Sequence, residues 1–443
     1  MPHPHRTAAI ISQGDELTLG QTLDTNSQWL STQLLERGII PVEHITLPDD
    51  RDAIAATFKR LAAKVDVIIC SGGLGPTADD LTRHALADAA GDELVEDAIA
   101  LEQIKAWFRG RGRDMPPLNN VQALRPRHGA SIENKHGTAP GLHLVLNIGG
   151  HECDVFCLPG PPRELFPMWE SGVLPALRPS LTVRTLAMHT IGLGESDVAT
   201  ALGDQMLRDS FPLVGTTASG GIVSVRIRCE GTMSAAEADA IVQRTRAKVM
   251  EVVGKFVFAE GTGPVGYKLA EAVIAALRAR KQTVSVVESC TGGMLGSTLA
   301  DVPGASDVFV GGFITYSNEM KQRQVGVPAA LFKETGGPSA PGAVSSDVAI
   351  ALAKGGVRNT GSHHCLAVTG IAGPGGGTPD KPVGTLWVGL ATRDGPTEAR
   401  RFNMAGDRGA VREWGTRAAL AMLWHRLHAS DVKLLREAER VNV

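Results

Sequence analysis

The chain has no excess of charge of either sign: Lys plus Arg number 44 and Asp plus Glu 47 in 443 residues. That balance excludes an overall positive field of the kind that draws a protein onto nucleic acid or an anionic membrane. Small-molecule chemistry becomes the better default. No run of about 18 apolar residues occurs, so no segment reads as a membrane-spanning helix. Met1 to Thr7 carries prolines and histidines where a secretory leader needs an apolar core, and the expected location is cytoplasmic. Cysteine is sparse and scattered (Cys70, Cys153, Cys157, Cys229, Cys290, Cys365), which gives no disulfide framework in a chain of this size. Cys153 and Cys157 sit close together, but inside an apparent strand and with no His/Cys pair following, so they read as buried thiols rather than zinc ligands. Heptads, low-complexity tracts and convincing internal repeats are also absent.

What is present is globular. Hydrophobic residues make up 43% and charged residues 21%, and the length fits two or three domains at about 100 to 200 residues each. The first segment alternates strand and helix patterns. Ala8 to Ser12 is an apolar run; Leu23, Leu30, Leu34 and Leu35 recur at helical spacing; Ile54, Phe58 and Leu61 mark a second helix; Val65 to Cys70 runs straight into Ser71-Gly72-Gly73. Such alternation predicts a parallel α/β sheet, with ligand loops gathered at the carboxyl ends of its strands. The segment closes near Trp169 to Gly172, after the strand Asp154 to Leu158. From about Pro179 to Gly261 the pattern becomes a smaller α+β unit: strand Val183 to Ile191, helix Glu195 to Leu207, strand Ile222 to Cys229, helix Ala235 to Val253. Gly261-Thr262-Gly263-Pro264 reads as a linker. A third segment opens with a helix from Val265 to Lys281 and a strand from Thr283 to Val287. The expected fold is therefore two α/β domains, residues 5–172 and 265–430, joined by a small α+β domain at 179–260.

Three loops in the third segment follow predicted strands. Glu288-Ser289-Cys290-Thr291-Gly292-Gly293 places hydroxyls at a strand-to-helix turn, where backbone N–H groups and the helix dipole favour a phosphate or an oxyanion; such residues also serve as plain N-caps. Thr315-Tyr316-Ser317-Asn318-Glu319-Met320-Lys321 brings a phenol, an amide and an amine together. The lysine can be a base toward a serine only if burial or positive neighbours lower its ordinary pKa; otherwise it is a solvated residue at a helix start. Thr369-Gly370-Ile371-Ala372-Gly373-Pro374-Gly375-Gly376-Gly377 exposes backbone donors as a phosphate cradle would.

These motifs, with Lys381-Pro382-Val383-Gly384-Thr385 and Gly406-Asp407-Arg408, resemble the CinA carboxy-terminal family, which includes nicotinamide-mononucleotide amidohydrolases. The resemblance runs in order through nearly the whole segment. It implies deamidation of nicotinamide mononucleotide to nicotinate mononucleotide and ammonia, with no cofactor. Ser289 would be the nucleophile, Lys321 its base and Tyr316 an orienting partner. Thr291, Gly292, Asn318, Thr369, Gly370, Ala372, Gly373, Gly375 and Arg408 would hold the substrate, Arg408 because its fork suits phosphate. A rival chemistry has Cys290 as nucleophile, since a thiolate is intrinsically the better one. The loop Gly336 to Gly342 is longer than the family's usual connection.

The first segment carries a second set: Gly14-Asp15-Glu16-Leu17, Asp24-Thr25-Asn26-Ser27, Ser71 to Thr77 with Asp79 and Asp80, Asn134 to Gly141, and Leu158 to Pro162. Carboxylates beside glycine loops suit a metal-bridged phosphate site, although Asp24 alone reads as a helix N-cap. This set is similar to the molybdopterin-binding domain of the MoaB/MogA kind found at the front of full-length CinA proteins. The resemblance implies a metal-dependent pyrophosphatase acting on ADP-ribose, with magnesium or cobalt and also potassium as ions. Asp80 would be the metal or catalytic residue, and Asp15, Glu16, Asn26, Gly72, Gly73, Gly75, Asp79, Asn134, Gly137, Thr138 and Gly160 would form the nucleotide site. Pterin binding without pyrophosphate chemistry is an alternative. The middle segment resembles the KH-like linker of CinA proteins. Its Ser219-Gly220-Gly221-Ile222 lacks a clear Gly-x-x-Gly clamp and basic surroundings, so it is expected to shape the protein and a homodimer rather than bind RNA. A non-catalytic adaptor in DNA uptake or repair is the rival of a different class.

Overall fold

The computed structural model describes residues 3–261 and 268–443. The linker 261–264 and the first residues of the helix expected from Val265 therefore fall largely outside the described residues; that helix is seen as Lys268–Arg280. The chain divides into two compact units, Met1–Arg184 with Cys229–Ala240, and Thr185–Arg228 with Ile241–Val443. Among the described residues no helix is long and apolar enough to cross a membrane.

The first unit is built on a six-stranded sheet in the order Ile40–Leu47, Thr7–Gln13, Val67–Ser71, His151–Leu158, Gly141–Ile148, Ala130–Ile132. The first four pair in parallel, and the last two pairings are antiparallel. The expected parallel sheet thus acquires an antiparallel edge. The cause is local: Gly149 and Gly150, both at positive φ, form a two-residue turn that folds the chain straight back, as glycine permits. The central strands are apolar on both pleat faces. Ala9, Ile11, Ile68, Cys70 and Val155 pack with Ile54, Phe58 and Leu61 of the helix Arg51–Ala62. Ala8, Ile10, Val67, Ile69 and Phe156 pack with Leu30 and Leu34 of the helix Thr25–Glu36. Strands covered on both sides read as unbroken apolar runs, which is why they were visible in the sequence. Leu23, grouped with Leu30 and Leu34 on the first helix face, is instead 85% exposed and precedes the helix, whose N-cap is Asp24 accepting from Ser27 N.

A four-stranded sheet follows, in the order Leu213–Ser219, Ile222–Gly231, Thr182–Ile191, Val257–Glu260. The strands Leu213–Ser219 and Val257–Glu260 were not expected. Gly220 and Gly221, both at positive φ, turn the first hairpin, with Ser219 paired to Ile222. The helix expected from Glu195 to Leu207 stops at Leu202, where Gly203 turns to positive φ and a short 3-10 turn takes over.

The second unit's large sheet runs Phe309–Ile314, Val284–Glu288, His364–Gly370, Thr385–Thr392, Thr397–Asn403, Glu437–Asn442. Its first three strands are parallel and the rest antiparallel. Val284, Val286, Leu366 and Val368 face the helices Lys268–Arg280 and Arg408–Leu427, whereas Val287, Cys365 and Ala367 face the helix Ser346–Thr360. Each fully buried aliphatic side chain here contributes about 1.5–3 kcal/mol. Gly355 and Gly356 let the last helix sit close, since an added Cβ would lie 2.0 Å from Val325 O and 2.2 Å from Cys365 Sγ. The strands Thr385–Thr392 and Thr397–Asn403 form a hairpin across the short loop 393–396. All six cysteines are buried and free.

Candidate functional site

In the second unit, Ser289 follows the strand Val284–Glu288 and is 8% exposed. Its loop is held from two directions. Ser289 N donates to Val368 O at 2.9 Å, and the Glu288 carboxylate, 1% exposed, accepts from the backbone N–H groups of Gly293, Leu295 and Gly296 at 2.8–3.1 Å. Glu288 therefore caps the helix Met294–Ala300 and fixes the turn that carries Ser289. Sequence reasoning missed this role. Its signal was a carboxylate ending an otherwise apolar strand.

Lys321 lies in the helix Asn318–Val325, capped by Ser317. Side chains in a helix lean toward its N-terminus, so Lys321 reaches back over the residues that precede the helix. Its Nζ donates to Thr315 O at 3.0 Å and Tyr316 O at 3.3 Å, and stands 3.1 Å from Ser289 Oγ. Lys321 is 2% exposed. Burial pushes its amine from the ordinary 10.5 down to about 8, against a small opposing pull from the Cys290 sulfur. Two acceptors hold two of the amine's hydrogens. The neutral amine therefore has its lone pair free to receive the Ser289 proton. Cys290 is 6% exposed and burial pushes its thiol up to about 12, so it is not a thiolate at neutral pH. This argues against the cysteine as nucleophile.

Tyr316, 59% exposed, receives a hydrogen bond from Arg408 Nη2 at 2.7 Å, and Arg408 Nη1 donates to Gly373 O at 2.9 Å. One arginine thus bridges the phenol loop and the glycine loop. Arg412, which the sequence did not single out, donates to Thr291 O at 2.8 Å. Two residues of the matching motifs brace a neighbouring loop. Thr369 Oγ1 donates to Ala343 O, and Lys381 Nζ donates to Pro341 O and Val344 O, so both pin the end of the long 336–342 loop and the residues after it. Asn318 points to Glu334 at 3.4–3.5 Å. Thr291 is fully buried, with its hydroxyl lacking a partner among the described residues. Gly292 and Gly375 are exposed, Gly370 is half-buried, and Ala372 and Gly373 are buried.

In the first unit, Gly14 to Glu16, Gly72 to Asp80 and the loop at Gly160 all follow carboxyl ends of parallel strands. Asn26 ties two of these loops, donating to Ser71 Oγ at 2.8 Å and Gly160 O at 2.7 Å, while its buried Oδ1 has no partner among the described residues. Asp80 accepts from Gly75 N, Thr77 N and Thr77 Oγ1 at 2.5–2.8 Å. It closes its own loop. Asn134 donates to Glu164 and Ala139 O, and a Cβ at Gly137 would lie 1.9 Å from Glu164 Oε2. Asp15 Oδ1 accepts from Asp49 N. Asp15, Glu16 and Asp79 are exposed; Gly73, Gly75 and Thr138 are half-buried and Gly72 is buried. A separate group, His3, Asp66 and His151, has ligand atoms within 4.8 Å of one another and could hold a metal ion.

Residues 266–427 match the family described as CinA C-terminal domain, and residues 185–259 match the Damage-inducible protein CinA KH domain. Residues 9–179 match the family described as "Probable molybdopterin binding domain". A relative from Caldicellulosiruptor bescii, described as "Putative competence-damage inducible protein", is 40% identical over 418 residues, which cover 94% of this chain and 98% of the relative. The chain belongs to the CinA family. A CinA-like protein of Geobacter sulfurreducens is 38% identical over 424 residues, covering 95% of this chain and 98% of its own, and one of Akkermansia muciniphila is 37% identical over 421, covering 94% and 96%. As a CinA protein, the chain has a molybdopterin-binding-like α/β domain, a KH-like α+β linker and a CinA C-terminal α/β domain.

Proposed function

We propose that the C-terminal site hydrolyses the amide of nicotinamide mononucleotide, giving nicotinate mononucleotide and ammonia. The observation that carries this reading is the buried amine of Lys321, lowered to about 8 and 3.1 Å from Ser289 Oγ. Ser289 Oγ attacks the carboxamide carbon as its proton passes to Nζ. Nζ then returns the proton to the leaving nitrogen, the C–N bond breaks, ammonia departs and an acyl-serine remains. Water adds to this ester, again giving a proton to Nζ, and the serine leaves with that proton restored. Among the described residues the N–H groups of Cys290 and Thr291 donate to no backbone carbonyl, which suits them to the oxyanion. Arg408, at the start of the 20-residue helix Arg408–Leu427, is the group for the ribose phosphate.

The test is to incubate the full chain with nicotinamide mononucleotide and measure ammonia and nicotinate mononucleotide. Stoichiometric formation of both by the parent, and neither by Ser289→Ala, is expected. No ammonia from the parent, or undiminished release by Ser289→Ala, overturns the reading.

For the N-terminal domain we propose nucleotide binding at the carboxyl edge, with hydrolysis of the ADP-ribose pyrophosphate bond. The buried Asn26 Oδ1, without a partner among the described residues, and the glycine loops favour a ligand there. Asp15, Glu16 and Asp79 offer the oxygen chemistry that a magnesium-type or cobalt ion takes, whereas Asp80 would share oxygens already accepting from Gly75 and Thr77. Such an ion, when bound, neutralises pyrophosphate charge. AMP and ribose phosphate released from ADP-ribose with either ion support pyrophosphatase activity. Binding without cleavage would leave a nucleotide- or pterin-binding domain.

A further inference from the structure

The amino edge of the first sheet carries two histidine–carboxylate clusters that the nucleotide chemistry does not use. Asp154 is met by His5 at 3.0 Å, His143 at 2.6 Å and the permanent cation of Arg178 at 2.5 Å. Asp66 is placed differently. Its Oδ2 accepts from Arg6 N at 2.7 Å and Thr7 N at 2.9 Å, which fixes the carboxylate and turns Oδ1 toward His3 Nε2 at 2.8 Å and His151 Nε2 at 3.8 Å. Among the described residues its ion-pair partners are these two imidazoles alone. One carboxylate thus has a permanent counter-charge beside its two imidazoles, and the other faces two imidazoles without one.

We propose that His3, Asp66 and His151 form a binding site for a divalent transition metal of the zinc type. Two imidazole nitrogens and one carboxylate oxygen are a donor set such ions favour, with water completing the tetrahedron. Metal–ligand bonds of about 2.0–2.2 Å place tetrahedral donors about 3.3 Å apart, and the 2.8 and 3.8 Å separations bracket that spacing. The His151 Nε2 contact to Val65 O at 3.0 Å gives way to the metal. The side chains of His3 and His151 are 27% and 31% exposed, so an ion and its water reach the site from solvent. The outer contacts already exist, since Arg6 and Thr7 orient the carboxylate. Asp66 directly precedes the strand Val67–Ser71 and Gly72 directly follows it. That separates the metal group from the glycine loops by about 20 Å at strand rise, and the ion acts as a clasp between the residues before Thr7 and the sheet.

The experiment uses tag-free, chelator-stripped full chain titrated with cobalt(II), read by visible absorption and calorimetry, with zinc as competitor. One tetrahedral equivalent, read from its visible ligand-field bands and displaced by zinc, is expected beside any octahedral, oxygen-ligated cobalt at the carboxyl edge. His3→Ala and His151→Ala should each weaken it at least about tenfold, the effect seen even for outer contacts. Zinc should also raise the melting temperature of the parent and not of the double variant. A double variant that keeps the tetrahedral, zinc-displaceable bands at the parent's affinity, or a parent that shows none, overturns the proposal.

Discussion

The two large sheets share one plan, parallel strands at one side, antiparallel at the other, loops at the carboxyl edge, yet they treat polar groups in opposite ways. In the first unit Asp80 closes its own loop, Asn26 ties Ser71 to Gly160, and Asn134 meets Glu164. Carboxylates and amides are largely consumed by neighbours. In the second, Lys321 is buried against two carbonyls and a hydroxyl with no carboxylate in ion-pair reach among the described residues. Its charge is the uncompensated quantity, and burial converts that into basicity near neutral pH. A satisfied polar network braces its loops; a buried amine with no counter-charge beside it becomes a base.

The largest effect should come from removing that base. Lys321→Met and Ser289→Ala should each lower kcat for deamidation about 10⁴-fold, and the double variant should be little worse than either, because the two act as one unit. Near-parental turnover by Lys321→Met would reduce the buried amine to a packing feature and break the contrast. Next in size, Asp80→Ala removes a carboxylate that accepts three bonds and should cost about 1–3 kcal/mol in urea unfolding of the first unit. It should abolish ADP-ribose turnover while leaving ammonia release intact. The pH profile is a smaller effect. The active amine is the neutral one, so with a value of about 8 the deamidation rate rises with pH, by about tenfold from pH 7 to a plateau above the pKa. A rate that falls over this range contradicts the assignment. Smallest of all, Cys290→Ala should change kcat by less than about threefold, because a thiol pushed up to about 12 supplies no nucleophile.

The inner parallel strands were legible because both faces are buried, and Val284, Val287, Cys365 and Leu366 leave no polar alternation to confuse the reading. The outer antiparallel strands of the second unit were not. Thr397–Asn403 contains Glu398, Arg400 and Arg401, which looks solvated, but Arg400 is buried between Glu398 at 2.8 Å and Glu437 at 3.0 Å. Ion pairs formed with a residue far along the chain cannot be seen in a local pattern. At the site, the strand-end loops could be placed from sequence and the roles of Ser289 and Lys321 came from the resemblance; their separation and the depression of the amine needed the fold. The contacts of Thr369 and Lys381 were invisible for the same reason, since their acceptors lie in a loop that only the folded chain brings near.

The hairpin of Thr385–Thr392 and Thr397–Asn403 has a consequence for the order in which the second unit assembles. Its strands are neighbours across residues 393–396, so their pairing closes a short loop and can form early. The pairing of Val284–Glu288 with His364–Gly370 instead joins segments about 75 residues apart and must wait for a slower closure. Ser289 and Lys321 hang from the late-forming side. During refolding the chain should therefore gain hairpin protection against amide exchange before it gains a basic lysine, and competence for chemistry should be among the last properties to appear.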